Sequence, residues 1–364
     1  MTLFRKKKID YNHLIKQHLK ILKSMQFKSG LFSASKKTVG TGYDKAWLRD
    51  NFYECIAFEV LEDYETVKKT YRSLLNIFRK HEFKIDHAIA SKPAYTHQYI
   101  HARYNPDTFD EFWEEWGNKQ NDSVGCILFK IGELEKKGIH ILEDKEDYQI
   151  VQKLVDYLST LEYWHDLDSG MWEENEEIHA SSIGACVAGL ESVKNIKGII
   201  VSKELIKKGY AALKKLLPRE SEKKFVDLAL LSLIWPYRVT TKSQTEEILK
   251  NVEYHLLKNK GVIRYKGDHY YNKNLDNKSE EAEWTFGLAW LTIIYNQLKK
   301  KKKAKEFEGK MLETQDSRGK IPELYYSNTN KENPNTPLGW SESLFITALY
   351  EVNKKHIKLK KVRK

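Results

Sequence analysis

The sequence predicts an all-α protein, a single domain built as an (α/α)6 barrel. Three observations lead to this class: apolar residues recur at helical spacing through most of the 364 residues, no alternating strand pattern competes with them, and no linker-like segment interrupts them. A solenoid of helix pairs would also suit the number of helices. A solenoid should show a sequence repeat of fixed period, however, and none is visible.

Twelve segments carry the helical pattern. We expect helices over residues 9–25, 47–60, 64–79, 122–135, 148–163, 181–193, 203–217, 225–235, 245–257, 281–298, 303–315 and 338–352. Four of the connections are long, namely 82–121, 164–180, 258–280 and 316–337. Long loops in a compact helical domain are usually functional, so we expect short turns on one face of the barrel and a functional face built from these four loops.

Charge divides the chain into a body and two tails. The formal net charge of +11 comes from four basic residues within 1–8 and seven within 353–364, and neither tail contains an acidic residue. The domain 9–352 is therefore formally neutral. A sequence-specific nucleic-acid binder carries basic residues on the fold that docks onto the nucleic acid, so we expect no specific nucleic-acid partner.

Composition also predicts compartment and cofactor. The longest apolar stretch, 286–295, is shorter than the roughly 20 residues that span a bilayer, and no apolar signal segment follows the N-terminus. Cys55, Cys126 and Cys186 lie far apart without a CxxC pair, which is typical of reduced thiols in a cytoplasmic protein. The histidines show no HExxH motif and no paired ligands at i and i+4. We therefore expect no membrane span, no metal and no cofactor.

An Arg beside an Asp opens the second predicted helix, at Arg49 and Asp50. Such a pair can hold vicinal hydroxyls through fixed hydrogen bonds, or it can form a helix N-terminal salt bridge, which is the commoner arrangement. The segment 113–122, WEEWGNKQND, adds Trp116 and Gln120. A pyranose packs its CH face on an indole while its hydroxyls bind planar polar side chains, so this loop suits a sugar. A loop merely anchored by Trp is the plainer interpretation.

Carboxylates occur in two loops that are remote in sequence. Glu173 and Glu174 follow Trp172, just ahead of a predicted helix, and Glu323 stands in a later loop. Crowded carboxylates raise one another's pKa, which suits a general acid, whereas the positive end of the following helix lowers it, so the protonation state stays open. Two such groups are the minimum for glycoside hydrolysis. One protonates the leaving oxygen, and the other activates water or attacks directly, depending on their separation.

Together these segments resemble glycoside hydrolase family 15, the glucoamylase-like enzymes, over most of the chain. The resemblance rests on five motifs in the family's order: Tyr43 with Trp47-Leu48-Arg49-Asp50, Trp116-Gly117 with Gln120 and Asp122, Trp172-Glu173-Glu174, Arg264-Tyr265 with Asp268, Tyr270-Tyr271-Asn272 and Trp284, and Pro322-Glu323 with Pro337-Leu338-Gly339-Trp340-Ser341. It implies an (α/α)6 barrel that releases glucose from α-glucosides with inversion and without a metal. The N-terminal β-sandwich common in prokaryotic members is not expected, because the first helix begins near residue 9.

The resemblance also implies a role for each matching residue. Glu173 falls where the family places its general acid, and Glu323 falls where it places the base that activates water. The other matches imply contacts with an α-linked glucose oligosaccharide: Arg49 and Asp50 on the terminal glucose, Glu174 and Arg264 around the scissile bond, and Tyr43, Trp47, Trp116, Gln120, Trp172 and Trp284 along the pocket.

A second resemblance leaves another function open. Residues 177–184, 216–219 and 101–105 are similar to the related domain in the α and β subunits of phosphorylase kinase, which are regulatory proteins. The leading expectation is a hydrolase acting on short α-glucans or α-linked glucose disaccharides. The alternative is a non-catalytic carbohydrate-binding or regulatory domain. Neither resemblance fixes the linkage, the chain length or the oligomeric state.

Overall fold

The computed structural model describes residues 9–114, 116–270 and 281–358. Within these ranges lie thirteen α-helices: α1 (Tyr11–Ser24), α2 (Leu48–Val60), α3 (Tyr64–Lys80), α4 (Glu82–Ala90), α5 (Asn121–Lys136), α6 (Lys145–Leu161), α7 (Ala180–Val193), α8 (Lys203–Leu216), α9 (Leu231–Ile234), α10 (Lys242–His255), α11 (Phe286–Gln297), α12 (Lys301–Leu312) and α13 (Gly339–Asn353). Four two-residue strands, β1 (Ala46–Trp47), β2 (Arg103–Tyr104), β3 (Glu283–Trp284) and β4 (Leu324–Tyr325), pair as two antiparallel ribbons, β1 with β2 and β3 with β4.

Six helices form a closed inner ring. In chain order α2, α5, α7, α9, α11 and α13 each pack against the next, and α13 returns to α2. These helices bury nearly every residue. α7 and α11 are largely apolar around their circumference, whereas α2 also buries the polar Arg49, Asp50 and Glu54. A helix that is apolar around its whole circumference must be covered on all faces, so the ring requires an outer layer.

The outer layer consists of amphipathic helices. α1, α3, α6, α8, α10 and α12 each pack one face on the inner ring or its neighbours and leave the other face to solvent. Acidic caps begin several of them, since the side chains of Asp10, Asp63 and Asp144 accept N–H groups of the first turn. The alternation of inner and outer helices is the (α/α)6 barrel that the sequence predicted.

The ring closes where the first and last helices meet. His18 in α1 and Glu342 in α13 are both fully buried, and their Nδ1 and Oε2 atoms lie 2.6 Å apart. Glu342 also accepts the backbone N–H of Ile321, and the side chain of Gln17 donates to the carbonyl of Gly319. Residues about 300 positions apart in sequence thus hold the toroid together as a single domain.

Three predicted segments were wrong in detail. The helix expected at 225–235 is a 3-10 turn followed by the short α9, because the Asp227 side chain caps the turn and Pro236 lies two residues after the end of α9. The loop expected at 82–121 begins with α4, whose periodicity is weak because Phe83 faces solvent while Ile85 is buried. The helix expected at 281–298 starts only at Phe286, since the preceding residues pair in β3.

Residues 1–8 and 359–364 of the expected basic tails lie outside the described residues. At the C-terminal end, α13 extends to Asn353, a 3-10 turn covers Lys354–His356, and the backbone N–H of Lys358 donates to the side chain of Asn12. Among the described helices, none combines the length and the apolar character needed to cross a membrane. Cys55, Cys126 and Cys186 are buried free thiols.

Candidate active site

A cavity of about 210 Å³ lies where the long loops meet the first turns of α2, α11 and α13. Eleven of the twelve predicted site residues line it: Tyr43, Trp47, Arg49, Asp50, Trp116, Trp172, Glu173, Glu174, Arg264, Trp284 and Glu323. The twelfth, Gln120, lies behind this wall, where its side-chain oxygen accepts a hydrogen bond from Arg49 Nη2 at 2.6 Å. Segments separated by almost the whole chain therefore converge on one small, enclosed space.

Glu173 reaches the cavity from a turn between α6 and α7, with its backbone in the left-handed region at φ 60°. Its Oε2 accepts the indole N–H of Trp116 at 2.5 Å and that of Trp47 at 3.3 Å. Its Oε1 lies 3.4 Å from Arg49 Nη1. Two aromatic N–H groups and a guanidinium thus fix the position of this carboxyl, which is still 14% exposed toward the cavity.

Arg49 and Asp50 occupy the first turn of α2. Arg49 is held by Asp122, with Nε 2.6 Å from Oδ2, and this pair is almost fully buried. Asp50 lines the cavity, and burial raises its pKa to about 7, an effect that neighbouring Arg49 only partly offsets. The pair is therefore not a simple helix N-terminal salt bridge, because the partner of Arg49 comes from another inner helix.

Glu174 and Arg264 form a second charged wall. Arg264 Nη2 lies 2.6 Å from Glu174 Oε1, and the same guanidinium is clamped by Asp268, with Nε 2.8 Å from Oδ2. The hydroxyl of Tyr265 donates to Glu174 Oε2 at 2.5 Å. These contacts leave Glu174 as an acceptor of fixed orientation on the wall of the cavity.

Glu323 lines the same cavity from a position between Pro322 and β4. Its Oε2 accepts hydrogen bonds from the side-chain amides of Asn333 at 2.5 Å and Asn335 at 2.8 Å. The backbone is fixed as well, since the Glu323 carbonyl accepts the N–H of Thr285 and its N–H donates to the carbonyl of Asn335. Burial raises the pKa of Glu323 to about 7, although the two amides favour the ionised form.

Aromatic rings close most of the remaining wall. Trp172 and Trp284 lie 5.8 Å apart between ring centroids, and Tyr270 lies 5.6 Å from Trp284. Trp340 stacks on Phe286 at 4.7 Å and also lines the cavity. Broad apolar faces beside fixed polar groups suit the CH faces and hydroxyls of a sugar ring.

The site contains groups that the sequence did not single out. Phe286 contributes to the wall, and Asn333 and Asn335 are partners of Glu323, with the Asn-Pro-Asn-Thr-Pro run at 333–337 as the visible signal for the amides. Trp340, which belongs to the fifth motif but was given no site role, also lines the cavity. Trp113, part of the segment read as a sugar platform, is fully exposed and does not line the cavity. The motif residues Tyr271 and Asn272 lie outside the described residues. Within the described ranges, no group of three or more His, Cys, Asp or Glu side chains is arranged to hold a metal ion.

An (α/α)6 barrel with a small cavity walled by indoles and carboxylates defines a class of carbohydrate-active proteins. The family model described as "Glycosyl hydrolases family 15" matches residues 10–350, and the chain belongs to this family. The fold and the family that the sequence predicted are therefore confirmed.

Solved structures share the fold at low sequence identity. A wild-type glycosidase superimposes with a TM-score of 0.79 and 18% identity, covering 95% of this chain and 99% of that one. A variant glycosidase solved with glucose gives a TM-score of 0.80, also at 18% identity. A bacterial glucoamylase complexed with acarbose gives 0.70 at 15% identity, covering 95% of this chain and 56% of that one.

The relatives of known sequence include both regulatory subunits and a glycosyl hydrolase. The regulatory subunit α of phosphorylase b kinase, skeletal muscle isoform, from Oryctolagus cuniculus is 26% identical over 380 residues, which is 84% of this chain and 30% of that protein. An uncharacterized glycosyl hydrolase of Methanocaldococcus jannaschii is 24% identical over 270 residues, or 65% of this chain and 42% of that protein. The chain thus spans about a third of the length of the kinase subunits that it matches.

Proposed function

We propose that the protein is an inverting α-glucoside hydrolase that releases glucose from short α-glucans or α-linked glucose disaccharides. The observation that carries the proposal is the presence of Glu173 and Glu323 in one cavity, each held by its own set of hydrogen-bond donors. Family membership and the glucose and acarbose complexes of its structural neighbours support a sugar as ligand. The buried free cysteines are compatible with a cytoplasmic location, which we also propose.

The two carboxyls divide the chemistry between them. Glu173 donates its proton to the glycosidic oxygen as the C1–O bond breaks, and its two indole N–H donors then stabilise the carboxylate that forms. Glu323 takes a proton from a water molecule that attacks C1 from the opposite face of the ring. Arg49 and Asp50 hold the terminal glucose in this cavity, whose wall is largely aromatic.

The decisive experiment screens α-linked glucose disaccharides and short dextrins for free glucose and follows the first product by proton NMR. We expect β-glucose as the initial anomer, because water attacks opposite the leaving group. Glu173→Gln and Glu323→Gln should each lower kcat by at least about a hundredfold while the fold is retained. Glu176→Gln and Glu332→Gln, in the same two loops but outside this cavity, serve as matched controls and should keep full activity.

Unchanged turnover in either catalytic variant would remove the role assigned to that residue. An initial α-anomer would reject inversion while leaving hydrolysis in place. Wild-type protein without glucose release on any substrate of the screen would reject the enzyme function itself.

The curated relatives favour one alternative, a carbohydrate-binding regulatory domain, because several of them are regulatory subunits. Calorimetry with maltose and with acarbose separates the two functions. Binding without any turnover supports the regulatory domain, whereas turnover that requires Glu173 and Glu323 supports the hydrolase.

A further inference from the structure

Arg103 lies directly behind the indole wall of the cavity. It belongs to β2 and pairs with Trp47 of β1. Its guanidinium carbon is 3.9 Å from the ring centroid of Trp116 and 5.6 Å from that of Trp47. The residue is only 5% exposed, although it does not line the cavity.

The aromatic rings are the principal neighbours of this cation. Its ion pair, from Nη2 to Glu114 Oε2 at 3.1 Å, joins it to a side chain that is 66% exposed. Its buried Nε has no hydrogen-bond partner among the described residues. Within the described part of the chain, this buried guanidinium thus combines one ion pair, to a largely exposed partner, with a close indole face, so cation–π attraction contributes to holding it in place.

The same two indoles are the donors to Glu173. Trp116 Nε1 lies 2.5 Å and Trp47 Nε1 lies 3.3 Å from Glu173 Oε2. A cation on the face of an indole draws electron density from the ring, which makes the ring N–H a stronger donor. The guanidinium also fixes the plane of the Trp116 ring, and with it the direction of that hydrogen bond.

We propose that Arg103 is a positioning residue for the proton donor, acting on Glu173 through the indoles of Trp116 and Trp47. This inference rests on the proposed function, since it assigns Arg103 to the proton-transfer half of the same reaction. It does not give Arg103 any contact with substrate, because the indole wall separates the two.

The test compares two leaving groups. A disaccharide needs its leaving oxygen protonated, whereas 2,4-dinitrophenyl α-glucoside departs as a stable phenolate without a proton. For Arg103→Met we expect kcat on the disaccharide that the wild type cleaves fastest to fall about tenfold or more, with KM nearly unchanged. On the dinitrophenyl glucoside the loss should stay below about threefold. Glu173→Gln should show the same difference between the two substrates, which we call the leaving-group split, but a larger one.

Two further variants separate positioning from structure. Arg103→Lys keeps a cation near the indole without the planar fork, so we expect a smaller split in the same direction. Lys208→Met is the control, because it removes a cation from the face of the Trp164 indole, which lies outside the cavity. It should leave kcat unchanged on both substrates. In a Trp116→Phe background, which lacks the principal N–H donor to Glu173, Arg103→Met should add much less than it does alone.

Equal losses on both substrates, or a rise in KM alone, would overturn the role of Arg103 while the proposed hydrolase stands. If Arg103→Met does not fold, Arg103→Lys decides, and the absence of a leaving-group split in that variant has the same meaning. Wild-type protein that cleaves neither substrate would overturn the proposed function and, with it, the inference.

Discussion

At the scale of single residues, Glu323 shows how the barrel supports a reactive carboxyl. Burial raises its pKa to about 7, and its hydrogen-bond donors are neutral amides rather than a cation. Asp50 lines the same cavity, and burial raises its pKa to about 7 as well. Glu323 must be ionised to take a proton from water in the proposed reaction, so we expect kcat/KM to fall as the pH drops below about 7.

The raised pKa also predicts that Glu323 costs stability. The folded protein binds the proton more tightly than the unfolded chain, so stability falls as the pH rises from about 4.5 to about 7. Above that window the cost is about 3 kcal/mol, from 1.36 kcal/mol per pKa unit. We expect Glu323→Gln to be more stable than the wild type at pH 8 by up to this amount and nearly equal to it at pH 4.

Urea unfolding at the two pH values measures this difference. Glu332→Gln, which replaces a partly exposed carboxylate in the same loop, provides the control for the substitution itself. If Glu323→Gln is less stable than the wild type at pH 8, the ionised carboxylate does not destabilise the folded protein.

At the scale of elements, the contact between α5 and α7 depends on glycine. A Cβ atom added at Gly125 would lie 2.5 Å from backbone atoms of Ala185 and Cys186, which is closer than packing allows. We expect Gly125→Ala to destabilise the protein by about 2 kcal/mol, because two rigid inner helices must separate, even though alanine favours a helix.

Gly309→Ala tests whether this effect comes from packing. Gly309 lies on the exposed face of α12 with nothing within 4 Å of an added Cβ. Helix propensity alone should then stabilise the protein by about 0.5–1 kcal/mol. Chemical denaturation of both variants checks the opposite signs, and equal signs would refute the close helix contact.

Elements were predictable from sequence where packing follows composition. The inner helices α2, α5 and α7 carry apolar residues at helical spacing through most of their length, and their existence followed from the pattern. The short α9 and the late start of α11 did not follow, because a side-chain cap, a proline and a two-residue ribbon decide them. These are tertiary or single-residue effects that hydrophobic periodicity does not carry.

At the scale of the whole molecule, closure of the ring depends on a buried pair. His18 and Glu342 are fully buried where α1 meets α13, and each has a further hydrogen bond to its surroundings. Replacing His18 by alanine leaves a buried carboxyl without its closest partner, which typically costs about 3–5 kcal/mol. We expect His18→Ala to lower the free energy of unfolding by about this amount.

A second substitution in the same helix provides the comparison. Lys23 pairs with Asp63 at the surface, with 47% of its side chain exposed, so Lys23→Ala should cost less than about 1 kcal/mol. Calorimetric melting of both variants measures the two effects. A loss from His18→Ala as small as that from Lys23→Ala would show that the two ends of the toroid are held by other contacts.

The convergence of the site could be predicted only through the family resemblance. Single motifs such as Arg49-Asp50 or Trp172-Glu173-Glu174 have ordinary structural explanations, and their order along the chain is what made them specific. The partners of Glu323 were not predicted. The run at 333–337 indicates an irregular loop, but only the folded path of that loop brings the amides of Asn333 and Asn335 to Glu323. The position of Gln120 behind Arg49 likewise depends on side-chain geometry that spacing does not encode.

The ribbon of β3 and β4 connects an aromatic wall of the cavity, Trp284, to the proposed base, Glu323. Trp284 pairs with Leu324 across it, and Glu323 is the next residue along. The N–H of Thr285, the residue after Trp284, also donates to the Glu323 carbonyl, so the backbone segments that carry the indole and the carboxyl are directly hydrogen-bonded. On the proposed function, in which Trp284 contacts the sugar and Glu323 activates water, we therefore expect a ligand of the wrong shape on this side of the cavity to be penalised in rate as well as in affinity.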